Sequence, residues 1–297
     1  MTFASLDYPS GRPFAPVTIV TRTRLVPSDA RVLVRVNDQV RAEQPIAMPG
    51  VDSAMAPVLA GLAGRVSDAR PGSVTIEAAA TLLHGVVGVG PSVAGPLIAL
   101  PHGESYAVVP IPAGAIILLP QQAPLMLLQR ALVSGAAGII AASASARELE
   151  GFVRTDLSLM LDGLAGSGPR PPLTIVLTEG LGNASMRPWT YQTLAQRLNT
   201  IALINGATDP RRSIRPEILL PLPSGTGAPS LPLSYYIEKG AQVVVTAGVH
   251  AGKRGQVTHV FAREQHVEPG ILTTCVVVRF EDGATATTPT CALDRVG

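Results

Sequence analysis

The sequence predicts a multidomain α+β protein: a small N-terminal β barrel or sandwich, a central α/β domain with a parallel sheet, and a small C-terminal β-barrel. Its 297 residues are enough for two or three domains. Short β-branched runs fill both ends of the chain, whereas apolar runs alternate with helical patterns in the middle. Pro-rich segments separate these regions, so we expect domains at 1–110, 111–222 and 239–297, with a linker at 223–238.

The first region consists of short apolar runs bounded by Gly, Pro, Asn and Asp, which is typical of strands in a compact barrel or sandwich. Within it, the chain is expected to turn at Asn37 and Asp38 before returning to an apolar strand. The predicted strands are 16–24, 31–36, 44–47, 63–68, 73–78 and 85–89.

Residues 34–47 resemble the hairpin of the barrel-sandwich hybrid fold, which biotinyl and lipoyl carrier domains share with adaptor subunits of larger complexes. Residues 61–79 are similar to the strand that follows that hairpin. The resemblance implies a modified lysine at a hairpin tip in a carrier, but no lysine occurs before Lys239. This copy is therefore expected to be structural, and another small β-fold is the alternative.

The second region alternates short apolar runs with amphipathic segments, the pattern of a parallel sheet covered by helices. The predicted strands are 115–119, 138–142, 173–178, 201–205 and 217–220, and the predicted helices are 123–133, 144–152 and 189–199.

One turn of this region is a candidate small-ligand site. The stretch TEGLGNASM follows a predicted strand and precedes a helix, where backbone N–H groups can bind an anion. No second carboxylate, His or Cys accompanies its glutamate nearby, so we favour the alternative of a plain connection. The candidate residues are Thr178, Glu179, Gly180, Gly182 and Asn183.

The third region is strand-like again, with runs at 242–246, 256–261, 274–280 and 284–288. Residues 243–261, VVVTAGVHAGKRGQVTHVF, resemble the KOW motif of NusG-type elongation factors and several ribosomal proteins. Residues 276–293 are similar to the rest of such an SH3-like barrel. The resemblance implies a binding role for the loop between the first two strands. Its candidate residues are His250, Gly252, Lys253, Arg254 and Gly255.

KOW barrels of that family bind RNA, ribosomal protein or RNA polymerase, so the resemblance leaves protein and RNA partners open. From Lys239 onward the chain has six Lys or Arg and five Asp or Glu, which is not a basic excess. For the barrel we therefore expect a protein partner or a homo-oligomer first, a purely structural role second and RNA third.

The composition argues against several other classes of protein. The chain is 46% hydrophobic, yet its apolar runs are short or interrupted by proline, so no membrane insertion is expected. Residues 1–16 lack a basic-then-apolar leader, which favours a cytoplasmic location. The only two lysines are Lys239 and Lys253, so no Schiff-base or phosphate-loop lysine precedes them.

Cysteines and histidines suggest neither a cofactor nor a metal. Cys275 and Cys291 lack CxxC spacing, and we expect buried free thiols rather than a disulfide. The scattered histidines supply no convincing ligand set, and GxSxG, HExxH and GxxxxGK[ST] motifs are absent. The histidines are His84, His102, His250, His259 and His266. The leading hypothesis is a non-catalytic adaptor, with an RNA- or ribosome-associated factor second and a ligand-binding or enzymatic α/β domain third.

Overall fold

The computed structural model describes residues 14–50, 56–100, 109–157, 173–208, 214–227, 237–267 and 270–295. The chain forms two compact units, one of residues 17–230 and the other of residues 1–16 and 231–297. His102 and most of the predicted linker lie outside the described residues. Among the described residues, no helix is long and apolar enough to cross a membrane.

Among the described residues, fourteen strands and three helices lie wholly or, for the first strand, mainly in the larger unit. The strands are β1 (Phe14–Leu25), β2 (Arg31–Val32), β3 (Gln39–Val40), β4 (Pro45–Met48), β5 (Val58–Leu59), β6 (Gly64–Arg70), β7 (Ser73–His84), β8 (Val87–Val89), β9 (Val93–Ala99), β10 (Ile116–Gln122), β11 (Gly138–Ala144), β12 (Thr174–Leu181), β13 (Ile201–Asn205) and β14 (Glu217–Pro221). The helices are α1 (Leu125–Val133), α2 (Ala146–Val153) and α3 (Pro188–Ala195).

Eleven of these strands form one mixed sheet in the order β3-β6-β7-β14-β13-β9-β10-β11-β12-β8, with β1 also paired to β7. Strands β9 to β12 are parallel, and for β10 to β12 this agrees with the parallel sheet predicted for the central region. The prediction of a parallel sheet is wrong for β13 and β14, because both run antiparallel to their neighbours. The three remaining strands form a separate sheet in the order β2-β4-β5.

The large sheet closes on itself. Only Gly85 and Val86 separate β7 from β8, yet β7 pairs with β14 while β8 pairs with β12 at the far end of the order. Strands β11 and β13 face each other across the interior. The evidence is that a Cβ on Gly138 would lie only 2.5 Å from Cδ1 of Ile204. The interior is therefore packed with side chains rather than open.

Helices α1 and α2 cover the outer face of the parallel strands. Leu127, Leu128 and Leu149 pack there against Ile117 and Ile139. Strand β11 is buried along its whole length, which explains its apolar sequence from Gly138 to Ala142.

The sheet crosses the boundary predicted near residue 110. Strand β9 pairs with β10 through Leu97 and Ile116, and with β13 through Pro96 and Ile201. Segments expected in two separate domains therefore share one sheet. The sequence of β9 contains Gly95 and Pro96 and lacks a strong strand signature, which is why it was not predicted.

The N-terminal strands form a small β-rich region within this unit. Asn37 has a φ of 74°, and the Asp38 carboxylate accepts a hydrogen bond from the Arg35 N–H at 2.7 Å. The turn predicted at Asn37 and Asp38 is confirmed.

The strands of the smaller unit in its described residues are β15 (Gln242–Val245), β16 (Arg254–Val260), β17 (Gln265–Val267), β18 (Ile271–Thr273), β19 (Cys275–Phe280), β20 (Thr285–Pro289) and β21 (Leu293–Arg295). Five of them form an antiparallel sheet in the order β20-β19-β16-β15-β21. A 3-10 turn, Thr290–Ala292, joins the two edge strands, so the sheet must curl until its edges meet. The core inside this curled sheet includes Val243, Val257, Val278 and Leu293.

A two-stranded hairpin of β17 and β18 is inserted in the chain between β16 and β19, which pair directly with each other. The sequence did not predict it, because these strands are only three residues long and lack clear alternation.

Candidate functional site

The loop between β15 and β16 is held by its own backbone. The Gly252 N–H donates to the Val245 carbonyl at 2.7 Å, and the Lys253 N–H donates to the His250 carbonyl at 3.0 Å. Gly248 and Gly252 have φ values of 85° and 88°, a conformation that favours glycine. The loop therefore presents its side chains from a defined backbone.

Phe280 at the end of β19 lies beneath two of these side chains. The ring of His250 lies 5.0 Å from the Phe280 ring, centroid to centroid, at an angle of 49°. The Lys253 ammonium lies 5.2 Å from the centre of the same ring. Because Phe280 is buried, it forms a fixed support for both residues.

The charge of Lys253 is compensated within the protein. Its Nζ atom lies 2.8 Å from Oδ2 of Asp282, in the hairpin turn between β19 and β20. The hydrogen bond from Lys253 is the main cause that lowers the pKa of Asp282, and a second comes from the Ala284 N–H. The ion pair is exposed to solvent, so it orients the two side chains more than it stabilises the fold.

Val249 stands at the tip of the loop with 96% of its surface exposed. We call the exposed surface formed by Val249, His250, Lys253 and Asp282 the loop patch. Sequence reasoning missed Val249, Phe280 and Asp282 as parts of it. The predicted runs 274–280 and 284–288 place Phe280 at the end of a strand and Asp282 in the connection that follows, but only the register that pairs Gly255 with Phe280 brings that connection to the loop.

The other predicted residues of the loop have different positions. Arg254 is exposed, and its backbone pairs with Val244 at the start of β16. Gly255 is buried, and a Cβ there would lie 2.5 Å from the Arg279 carbonyl oxygen. Gly255 is thus required by strand packing, whereas Gly252 is exposed and serves the turn.

The candidate ligand turn lies at the carboxyl edge of the parallel strands. Thr178, Glu179 and Gly180 belong to β12, which continues to Leu181, so only the later residues form the connection to α3. Thr178 is buried, and its hydroxyl donates to the Ala141 carbonyl at 3.4 Å. Glu179 forms an ion pair with Arg187 at 3.2 Å.

The backbone N–H groups of this connection donate within the protein. The Gly182 N–H donates to the Ala144 carbonyl at 2.9 Å, and the Met186 N–H donates to the Pro120 carbonyl at 2.8 Å. The Ala184 N–H donates to the Ser143 hydroxyl, which donates in turn to the Ala184 carbonyl. Asn183 lies exposed between these anchored residues. This arrangement favours the plain connection over an anion cradle.

The histidines lie in unrelated surroundings. His84 is buried at the end of β7, and burial together with Arg215 and Arg22 lowers its pKa to about 3. His259 stacks edge-on against Phe261 at 5.0 Å, and His266 is exposed on β17. Within the described residues, no three His, Cys, Asp or Glu side chains are grouped as a metal site requires.

Both cysteines are free thiols, but only one of them is buried. Cys275 is buried at the start of β19, and burial and the neighbouring Cys291 raise its pKa. Cys291 is exposed in the 3-10 turn, which corrects the expectation that both thiols are buried.

Comparisons with models of protein families, with curated proteins and with solved structures found no match to this chain.

Proposed function

We propose that this protein is a non-catalytic adaptor that docks onto a larger protein assembly through the loop patch. The carrying observation is the nearly full exposure of Val249 on a loop whose backbone is fixed by hydrogen bonds. An apolar side chain held rigidly in water is costly to hydrate and loses little conformational entropy on binding, which suits it to a protein pocket.

The electrostatics of the loop patch favour a protein partner over RNA. Nucleic-acid binding relies on lysines and arginines that neutralise phosphates. Asp282 already compensates the charge of Lys253, and its negative carboxylate would repel an approaching phosphate. His250 and Lys253 are also anchored on Phe280, so they form a shaped surface around Val249 rather than mobile cationic arms.

The topology of the smaller unit supports the interpretation as a KOW-like, SH3-like barrel. Its five antiparallel strands curl so that a 3-10 turn joins the edge strands, and the loop patch lies between the first two strands of the sheet.

In the larger unit, the candidate ligand turn after β12 is better explained as a structural connection. Its residues contact other residues of the same unit, Ala184 with Ser143 and Glu179 with Arg187, which supports a structural role.

The test is a pull-down from the native host with the full chain as bait, divided into nuclease-treated and untreated halves. Val249→Asp places a charge at the centre of the loop patch and should weaken capture of a specific partner about tenfold or more. Leu272→Asp is the matched control, because Leu272 is another exposed apolar residue of the same unit and lies on β18.

Support requires identified proteins that survive nuclease, bind the wild type and the Leu272→Asp variant, and are lost with Val249→Asp. Equal capture by both variants would contradict the assignment to the loop patch. Loss of all specific capture after nuclease treatment would favour the RNA-associated alternative.

A further inference from the structure

Arg24 is a buried cation with neutral hydrogen-bond partners. Only 4% of its surface is exposed, and it lies on the inner face of β1 between Val20 and Val26, which are also buried. Its Nη1 donates to the Ser92 hydroxyl at 2.7 Å, and its Nε donates to the Leu59 carbonyl at 3.4 Å. Neither acceptor carries a negative charge.

The arginine two residues earlier on the same face of β1 is only half-buried, yet it has a carboxylate partner. Arg22 donates from Nε and Nη2 to the two carboxylate oxygens of Glu217, at 2.8 and 2.7 Å. Arg24 has no comparable partner, since it forms no ion pair with any residue that the structure describes.

The charge of Arg24 persists at neutral pH. Burial lowers its pKa to about 10, which still leaves the guanidinium protonated. A buried charge is unfavourable unless a counter-charge and hydrogen bonds compensate it. Two of the five N–H groups that a guanidinium carries are used by Leu59 and Ser92, which leaves donors for a further acceptor.

We propose that Arg24 and Ser92 form a binding site for a single oxyanion, a phosphate or carboxylate group of a small molecule. The planar guanidinium matches such a group with two parallel hydrogen bonds. The Ser92 hydroxyl accepts from Arg24 through its oxygen and can donate its own hydrogen to the same anion. Leu59 and Ser92 are only half-buried, so the guanidinium lies just beneath the surface.

This site is independent of the loop patch, since Arg24, Leu59 and Ser92 all belong to the unit of residues 17–230. Its ligand would add the missing negative charge to the packing between β1, β5 and the start of β9. Occupancy is therefore expected to stabilise that unit.

The experiment measures thermal unfolding and isothermal titration of the full chain in chloride buffer at constant ionic strength. Inorganic phosphate is added in one arm and acetate in the other, which distinguishes the two oxyanion sources. A saturating oxyanion should raise the melting temperature by about 5 °C, whereas an equal concentration of chloride should not.

Three variants locate the site. Arg24→Met should abolish the rise in melting temperature with added oxyanion. In chloride it should melt no lower than the wild type, because the substitution removes an uncompensated buried charge and puts an apolar side chain of similar volume in its place. Ser92→Ala should weaken oxyanion binding about fivefold or more, since it removes one hydrogen bond to the charged group. Arg70→Met is the matched control, because Arg70 is exposed and paired with Asp68, and its response should equal that of the wild type.

No response to either oxyanion would overturn the proposal, as would an unchanged response in Arg24→Met. If Arg24→Met fails to fold, Ser92→Ala decides: wild-type affinity in that variant would place any binding elsewhere and overturn the assignment.

Discussion

Lys253 and Asp282 are joined by an ion pair of 2.8 Å that connects the loop between β15 and β16 to the turn between β19 and β20. Phe280 lies below the ammonium, so Lys253 is held from the side by a carboxylate and from beneath by a ring. The sequence separation of the two charges is large, and only the pairing of β16 with β19 brings them together. The electrostatics of the loop patch therefore depend on both hairpins.

The first prediction concerns the titration of Asp282. Because Lys253 favours its ionised form, the carboxyl should titrate below its usual value of 3.8 in the wild type. The contribution of the pair is present at neutral pH and is lost as the pH falls through the folded-state pKa. In Lys253→Met the pKa should rise toward its usual value, which NMR of the Asp282 carboxyl can follow. An unchanged midpoint in this variant would show that the pair does not form in solution.

The second prediction concerns acid stability and His84. Its folded-state pKa of about 3 lies below the value of 6.5 expected in the unfolded chain. Between pH 6.5 and pH 3, His84 is therefore protonated in the unfolded state but neutral in the folded state. Stability should therefore fall as the pH drops below 6.5, by about 1.4 kcal/mol per pH unit from this residue.

Denaturant unfolding of wild type and His84→Gln at pH 7 and pH 5 isolates this effect. The wild type should lose about 2 kcal/mol more than the variant over that interval. Equal losses of unfolding free energy in the wild type and the variant would mean that His84 can be protonated in the folded protein.

The third prediction concerns packing inside the closed sheet. In Gly138→Ala, the new Cβ would lie 2.5 Å from Cδ1 of Ile204 and 2.6 Å from the Thr174 carbonyl oxygen. We expect a loss of about 1–3 kcal/mol in the free energy of unfolding. Gly151→Ala on α2 is the matched control, because its Cβ would meet open space and should stabilise the helix by about 0.5–1 kcal/mol. A neutral effect of Gly138→Ala would contradict the opposition of β11 and β13.

Local patterns predicted much of the secondary structure in the described residues. Helices α1 and α2 and strands β10 to β12 follow from apolar periodicity, and the turn at Asn37 follows from residue types that tolerate a positive φ. Gly252 was assigned to the loop through the resemblance to the KOW motif, and its φ of 88° agrees with a place in a turn.

Pairing between distant segments could not be predicted in this way. Strand β9 contains a glycine and a proline, and its place at the centre of the sheet depends on partners on both sides. The burial of Arg24 has no local signature, because an arginine in an alternating strand usually faces solvent. The position of Phe280 below Lys253 likewise depends on strand register, which the sequence of a single strand does not specify.

The last prediction concerns the hydroxyl that anchors the connection after β12. Ser143 is fully buried, and its hydroxyl both accepts from the Ala184 N–H at 3.0 Å and donates to the Ala184 carbonyl at 2.9 Å. Ser143→Ala removes the partner of both backbone groups and should lower the free energy of unfolding by about 1–3 kcal/mol. Ser145→Ala is the matched control, since Ser145 precedes α2 without a side-chain capping bond and its loss should cost little. Hydrogen exchange separates this explanation from general destabilisation, because the Ala184 amide should lose protection in Ser143→Ala and keep it in Ser145→Ala. Retained protection at Ala184 would show that other contacts hold this connection and that the hydroxyl is dispensable.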